Sequence, residues 1–402
     1  MRGKLSLPAG GARALRKGAL LLSVRLPLRD EPYPWTDCQP FLEGCLPEEH
    51  VQAALASAIR VPPGDTFAFL AAYGLDCAGA VSFAPWGAAR EPPGGVRWMT
   101  HLELHDTLDG LPTAPLGAEP ELGIRLSLGG LQGKLVVVHD GVRFGKPEGD
   151  TPSTHILKPS PLLGSGRERW PGLPHAEHFA MTTAKLACEK GGLELRVPQT
   201  KVVSVEGRDV LVVERCDRQQ ADGKSERIHQ EDFCQALGLV SKYEDGNLGD
   251  PSLRKIASVL TAYSGGGARR ALLERTILSL VLGDGDMHAG NVSVVLSRGA
   301  VSLTPAYDIV PTRTTLNATG HNADHRLGLR INGEIGLDDV TRADVVEETM
   351  SWGMRERPAI TVIDRTLTAV AAHLEEAQKW CSDHEVVAAA ATYAARRCAE
   401  LL

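Results

Sequence analysis

The chain has 402 residues, which at roughly 150 residues per domain allows two or three domains with sizeable cores. Hydrophobic residues make up 43% and charged residues 23%, with 42 Gly and 25 Pro; this excludes a disordered, collagen-like or small disulfide-stapled chain. The 43 Lys and Arg against 50 Asp and Glu give a net charge of -7, which excludes a whole-surface nucleic-acid coat, so any DNA contact is local or borrowed from a partner.

None of the eight cysteines forms a C-x-x-C pair, and they read as reduced thiols in a reducing cytosol. The longest apolar run near the start, Ala19–Val24, falls short of the roughly 18 residues of a membrane span, and no transmembrane segment is expected. Residues 1–30 carry seven Lys and Arg and one acid, which faintly resembles an organelle transit peptide. The alternation of Leu20–Leu26 favours a strand used by the fold instead.

In chain order, residues 20–85 predict a short strand, a Pro-rich turn, helices over 47–60 and 64–73, and a strand at Asp76–Val81, together a small α/β unit. Residues 86–120, rich in Pro and Gly without periodicity, read as a linker or covering loop. Lys134–His139 and Val142–Phe144 flank Asp140-Gly141, a type I′ hairpin signal. A strand at Thr154–Lys158, a helix over about 175–190 and a hairpin (201–205 and 210–214, turning at Glu206–Asp209) complete an antiparallel sheet with one helix. From Gln230 onward helical patterns dominate, interrupted only by strands at Val292–Leu296 and Val301–Thr304. Ser382 and Glu385 have capping-box spacing for the last helix. There is no internal repeat.

Two familiar motifs fail. An EF-hand beginning at Asp284 needs Gly at 289 and Glu at 295, where the chain has Ala and Val. A Walker A loop around Gly129, Gly130, Gly133 and Lys134 lacks its first Gly at 128 and its Ser or Thr at 135. A set of spacings survives. Protein kinases place a metal-binding Asn five residues after a catalytic Asp, then a second metal-binding Asp. Asp286 and Asn291 have that interval, two short strands follow, and Asp308 comes after them. Upstream, Lys158 ends a strand, and Glu177 shares a helical face with Ala180, Met181, Ala184 and Cys188; an acid there needs a cation, and Lys158 is the candidate. Taken singly these are ordinary residues: a solvated loop acid, a surface lysine, a helix N-terminal acid favoured by the dipole. Their joint order and element type carry the kinase reading.

The run Leu282-Gly-Asp-Gly-Asp-Met-His-Ala-Gly-Asn291, followed by Leu303-Thr-Pro-Ala-Tyr-Asp308, resembles the HipA family of bacterial serine/threonine kinases, toxins of toxin–antitoxin pairs. Pro152–Lys158, Val213–Arg218 and His229–Gly238 agree, and Cys38–Pro47 with Gly74–Ser82 is similar to the family's N-terminal subdomain. The resemblance implies that Lys158 binds the ATP phosphates, that Asp286 is the catalytic carboxylate, and that Asn291 and Asp308 hold Mg2+. It places Glu214 at the interlobe crossing beside adenine, with His288 and Tyr307 lining the same pocket. Ser127, just before Gly129 and Gly130, matches the serine that family members autophosphorylate in the loop covering the nucleotide. Departures lie at Cys216, where an aromatic is common, at Gly133, at Asp284-Gly285, where Asn-Thr is usual, and at Asn247.

The expected fold is α+β, a bilobed protein-kinase-like arrangement: an N-terminal α/β subdomain (1–90), a β-rich N-lobe (91–228) and a mostly helical C-lobe (229–402). The expected function is ATP- and Mg2+-dependent transfer of phosphate to Ser or Thr of a cytosolic protein, with aminoacyl-tRNA synthetases as a class the family suggests. A HipB-type helix-turn-helix antitoxin would supply DNA binding. A small-molecule phosphotransferase and a nucleotide-binding corepressor are the rival readings. Asp284 is at the wrong interval from Asn291, so Asp284→Ala is expected to leave much more activity than Asp286→Asn.

Overall fold

The computed structural model describes residues 17–47, 49–62, 64–84, 94–111, 133–163, 166–221, 223–265, 267–297, 300–315, 325–381 and 384–402. Three apolar clusters organise them. The first lies among helices α1 (Trp35–Gly44), α2 (Glu49–Ile59) and α3 (Thr66–Tyr73) and centres on Phe41, Phe69, Leu70 and Tyr73. Here the expected α/β unit is helical only. Leu20–Leu26 turns rather than extending, because Ser23 and Val24 are both buried, against the alternation a half-buried strand needs. The Pro-rich stretch leads into α1, which has Pro34 at its cap and Pro40 inside it. Asp76 makes only an isolated bridge.

The expected linker contains structure as well. Strand β1 (Gly95–Trp98) and helix α4 (His101–Asp109) fall within it, and Thr100 and Glu103 close a capping box at the helix start. Next come β2 (Leu135–His139), β3 (Phe144–Glu148), β4 (His155–Pro159), α5 (Leu173–Gly191), β5 (Thr200–Val205) and β6 (Arg208–Glu214). The strands form one antiparallel sheet in the order β1-β3-β2-β4-β6-β5. The tight I′ turn lies in the second hairpin, where Glu206 and Gly207 both have positive φ, 48° and 79°. The first hairpin pairs His139 with Phe144 and closes with a longer loop, in which Asp140 Oδ1 accepts from the amides of Val142 and Arg143. The second cluster joins this sheet to α4 through Leu104, Leu108, Leu135, Leu157 and Val212.

The chain continues through β7 (Arg218–Ala221), β8 (Lys224–Arg227), β9 (Gln230–Asp232), α6 (Phe233–Leu237), α7 (Leu253–Tyr263), α8 (Ala268–Leu282), β10 (Ser293–Ser297) and β11 (Ala300–Leu303). It ends with α9 (Thr312–Thr315), β12 (Arg326–Ile331), β13 (Glu334–Gly336), α10 (Arg342–Ser351), α11 (Glu356–Trp380) and α12 (Glu385–Leu401). Strands β9, β10 and β11 form a three-stranded sheet, and β12 and β13 a hairpin; the sequence reading passed over β7, β8, β9, β12 and β13. The third cluster unites α7, α8, α11 and α12 and takes in Phe179, Ala180, Met181 and Ala184 of α5. Thus α5, expected to belong to the sheet, buries its apolar face in the helical core. The last helix is capped by His384, which accepts from the Val386 amide; the capping residue foreseen, Ser382, lies outside the described residues.

The fold class is therefore α+β. All eight cysteines are free thiols, and among the described residues no helix is long and apolar enough to cross a membrane.

A buried ionic network joins the N-terminal helices to the sheet. Asp76 lies 2.8 Å from Arg218 and 3.2 Å from Arg227, and accepts from the Ser153 hydroxyl at 2.6 Å. Arg215 donates to Asp217 at 2.7 Å and to the Cys77 carbonyl at 3.0 Å. Burial opposes ionisation of Asp76, but the arginines outweigh it and hold its carboxyl below the usual range. Removing one partner from such a network leaves buried charge uncompensated. Asp76→Ala is expected to lower the unfolding free energy by about 3–5 kcal/mol, measured by guanidinium denaturation; a loss below about 1 kcal/mol would show the arginines to be satisfied without it.

Candidate active site

Lys158 lies on β4, the central strand between β2 and β6, and its side chain is 7% exposed. Its Nζ stands 2.7 Å from Glu177 Oε1 on α5 and bonds Asp308 as well. One ammonium thus joins the sheet, the helical core and the segment after β11. Burial works against the charged lysine, but Asp308 and Glu177 outweigh it and raise its pKa. Burial would also raise Asp308, yet Lys158 and then Lys134 keep it ionised and well below the usual range. Glu177 shifts upward, chiefly through burial, and its Oε2 is buried without a hydrogen-bond partner among the described residues. Asp308 adopts a left-handed backbone, φ 57°, a strained conformation that recurs at functional sites.

The other acids lie on the turn between α8 and β10. The Asn291 side chain donates through Nδ2 to the Asp286 carbonyl at 2.9 Å, and its backbone amide donates to the His288 carbonyl at 2.9 Å across the 3-10 turn Ala289–Asn291. Burial, then the charges of Asp284 and Asp308, push Asp286 up to about 7. His288 Nδ1 accepts from the Gly290 amide at 3.1 Å, and Nε2 is 3.9 Å from Asp286 Oδ1; burial lowers its pKa to about 3, so the ring is neutral. The Tyr307 hydroxyl shares a 2.5 Å bond with Ser293. Gly328 of β12 allows the close approach that fixes this turn: a Cβ there would stand 2.8 Å from the Met287 carbonyl, and its amide donates to the Gly285 carbonyl at 2.8 Å.

Glu214 ends β6 opposite His155, with an exposed side chain, just before the buried Arg215 and Asp217. Ser127, Gly129 and Gly130 lie outside the described residues. Three residues in the site were not foreseen. Lys134, noticed only for the failed Walker A pattern, is 7% exposed and its charge acts on both Glu177 and Asp308. Tyr243 donates to Asp286 Oδ1 at 3.0 Å. Arg275, an interior residue of α8, donates to the Tyr307 carbonyl at 3.3 Å and reaches Asp284 at 3.5 Å. Apart from the Lys–Tyr pattern at 242–243, no sequence signal marks them; tertiary contact brings them in.

Asp284, which lies outside the catalytic spacing, is fully buried, accepts from the Ser279 hydroxyl at 2.8 Å and from the Asp286 amide at 3.1 Å, and faces Arg275. It fastens the turn to α8. Asp284→Ala is expected to cost about 3–5 kcal/mol of stability, because Arg275 is left buried without its carboxylate. Thermal and denaturant melts of the variant give the measurement, and wild-type stability would show Arg275 to be satisfied without this carboxylate.

Comparison with known proteins follows this geometry. Residues 126–374 match the family model described as the HipA-like C-terminal domain, and residues 11–84 match that of the HipA N-terminal domain. A Sinorhizobium fredii protein named as a kinase, Y4mE, is 34% identical over 368 residues, covering 90% of this chain and 84% of its own. The serine/threonine-protein kinase toxin HipA of Shewanella oneidensis is 31% identical over 287 residues, covering 67% of this chain and 62% of its own. A solved Shewanella oneidensis complex of HipA, HipB and operator DNA superposes with a TM-score of 0.79 at 26% identity, covering 94% of this chain and 88% of that one. With the paired lysine, the loop acids and both family domains in place, the chain belongs to the HipA family of serine/threonine-protein kinases.

Proposed function

We propose that the chain is the toxin kinase of a bacterial toxin–antitoxin pair, acting in the cytoplasm, and that it transfers the γ-phosphoryl group of ATP to a Ser or Thr hydroxyl at this site. The observation that carries the reading is the single Lys158 ammonium held between Glu177 and Asp308, the pairing that assembles a kinase phosphate site. The donor set fits Mg2+. Asn291 and Asp308 offer hard oxygen ligands, and crowding with Asp284 and Asp308 raises Asp286, a surplus of negative charge that a cation would relieve. Among the described residues no three His, Cys, Asp or Glu side chains cluster to cage a metal, which suits an ion held partly by substrate phosphates. Bound by Asn291 and Asp308, the cation supplies neutralisation of phosphate charge. Lys158 positions the phosphates, and Asp286 orients the acceptor hydroxyl and takes its proton.

Glu214 is read as the adenine contact at the crossing between the lobes, His288 and Tyr307 as pocket lining, and Gly129 and Gly130 as the cover over the phosphates. The three-part division at 1–90, 91–228 and 229–402 is part of this reading. A HipB-type antitoxin is the proposed partner, through which DNA would be reached, consistent with the net charge of -7. The acceptor class proposed is a cytosolic, translation-linked protein such as an aminoacyl-tRNA synthetase.

Asp286→Asn and Asp308→Ala are each expected to lower kcat by at least about a thousandfold while the protein stays folded. The check is transfer from γ-labelled ATP into lysate proteins, followed by gel electrophoresis. More than a tenth of wild-type transfer in Asp286→Asn would end the catalytic assignment, and label entering only a small molecule would move the enzyme to a different substrate class.

Ser127 is the proposed self-inactivation site: a phosphate there adds close to two negative charges to the covering loop, which the phosphates of ATP repel. Mass spectrometry of protein expressed alone should find phosphate on Ser127 in the wild type and none in Asp286→Asn. A phosphorylated form that binds ATP as tightly as the unmodified one would refute the switch.

A further inference from the structure

Beside Asp286 stands a tyrosine whose placement the fold controls closely. Tyr243 lies in the connection between α6 and α7, and its neighbours are tied to the site on both sides. The Ala289 amide donates to the Lys242 carbonyl at 3.0 Å, and the Glu244 amide donates to the Gly328 carbonyl at 3.0 Å. The Glu244 carboxylate accepts from the Arg330 amide at 2.9 Å, and Asp250 accepts from the amides of Asp245, Gly246 and Asn247 within 2.9 Å. This segment lacks regular secondary structure over 238–250, yet hydrogen bonds pin it to the catalytic turn and to β12.

The Tyr243 side chain uses that rigidity. Its ring meets His288 edge-on, centroids 4.9 Å apart at 86°, and its hydroxyl donates to Asp286 Oδ1 at 3.0 Å. The His288 Nε2 faces the same oxygen. One oxygen of the carboxylate is therefore occupied by a fixed neutral donor. A carboxylate accepts through both oxygens, so Oδ2 is left for the acceptor hydroxyl. A general base must be held within hydrogen-bond reach of the proton it takes, and a rotamer error of about 1 Å is costly in rate.

Resting on the assignment of Asp286 as the catalytic carboxylate, we propose that Tyr243 is a positioning residue for phosphoryl transfer: it locks the Asp286 carboxylate through Oδ1 so that Oδ2 is presented to the acceptor. Tyr243 does not touch the nucleotide in this scheme. Its loss should therefore slow transfer without weakening ATP binding, a split that a merely structural residue would not show.

Tyr243→Phe tests this in the full-length protein, since it keeps the ring on His288 and removes only the hydroxyl. Transfer from γ-labelled ATP is measured to a synthetic peptide covering residues 121–134 and to dephosphorylated casein, with wild type and Asp286→Asn alongside. The expected result is a fall in kcat of about tenfold, with the KM for ATP and the melting temperature unchanged. A kcat within about twofold of wild type overturns the proposal, and so does a loss accompanied by a raised KM for ATP or a lowered melting temperature. The two readings fail separately. Active Asp286→Asn removes the catalytic assignment itself, whereas inactive Asp286→Asn beside a fully active Tyr243→Phe removes Tyr243 alone.

Discussion

A single buried positive charge is the constraint on which the site depends. Lys158 comes from the middle of the sheet, Glu177 from a helix whose apolar face lies in the helical core, and Asp308 from the segment after β11. Each acid alone would be an expensive group to bury, and the lysine would be expensive without them. Together they form a junction that none of the three elements can leave without stranding charge. Asp308 reaches it from a left-handed backbone, a cost offset by the ionic contact it makes possible.

Two further polar networks hold the surroundings still. On one side Asp284 and Arg275 fasten the turn between α8 and β10 to the end of α8, and Arg275 also reaches the carbonyl just before Asp308. The two acid-bearing segments are thereby linked through one guanidinium. On the other side Arg215, Arg218 and Arg227 gather around Asp76 and Asp217 at the end of β6. The segment following Glu214 is thus fixed by contacts with the segment after α3 rather than by the sheet alone. Charge buried in this way specifies geometry because its partners must be present at hydrogen-bond distance.

The position of α5 has a mechanical consequence. Its Gly172 cap packs against the His384 ring, within 2.4 Å of a would-be Cβ, while His175 bonds Asp209 of β6 at 2.7 Å and stacks on His384. The start of the helix that carries Glu177 is therefore gripped by both the sheet and the last helix of the chain. Its orientation is set by packing on two sides, which holds Glu177 toward Lys158.

Much of this was legible in the residues themselves. The interval from Asp286 to Asn291, the short strands after it and the strand-then-helix order of Lys158 and Glu177 are local patterns, and local patterns survive in sequence. The type I′ turn read at Asp140-Gly141 lies instead at Glu206-Gly207, where two successive φ values are positive. The misreadings share one cause. Leu20–Leu26 alternates like a strand but is held by side-chain contacts such as the Val24 amide on Glu231, and α5 carries apolar residues that could serve either the sheet or the helical core. Asp284 gave no signal of its structural part because its partner Arg275 lies within α8 and is revealed only by folding. Sequence determined which residues could do chemistry and in what order; the tertiary structure decided which charges meet, because burial makes an unpaired ion too costly to leave and only the folded chain shows where each partner lies.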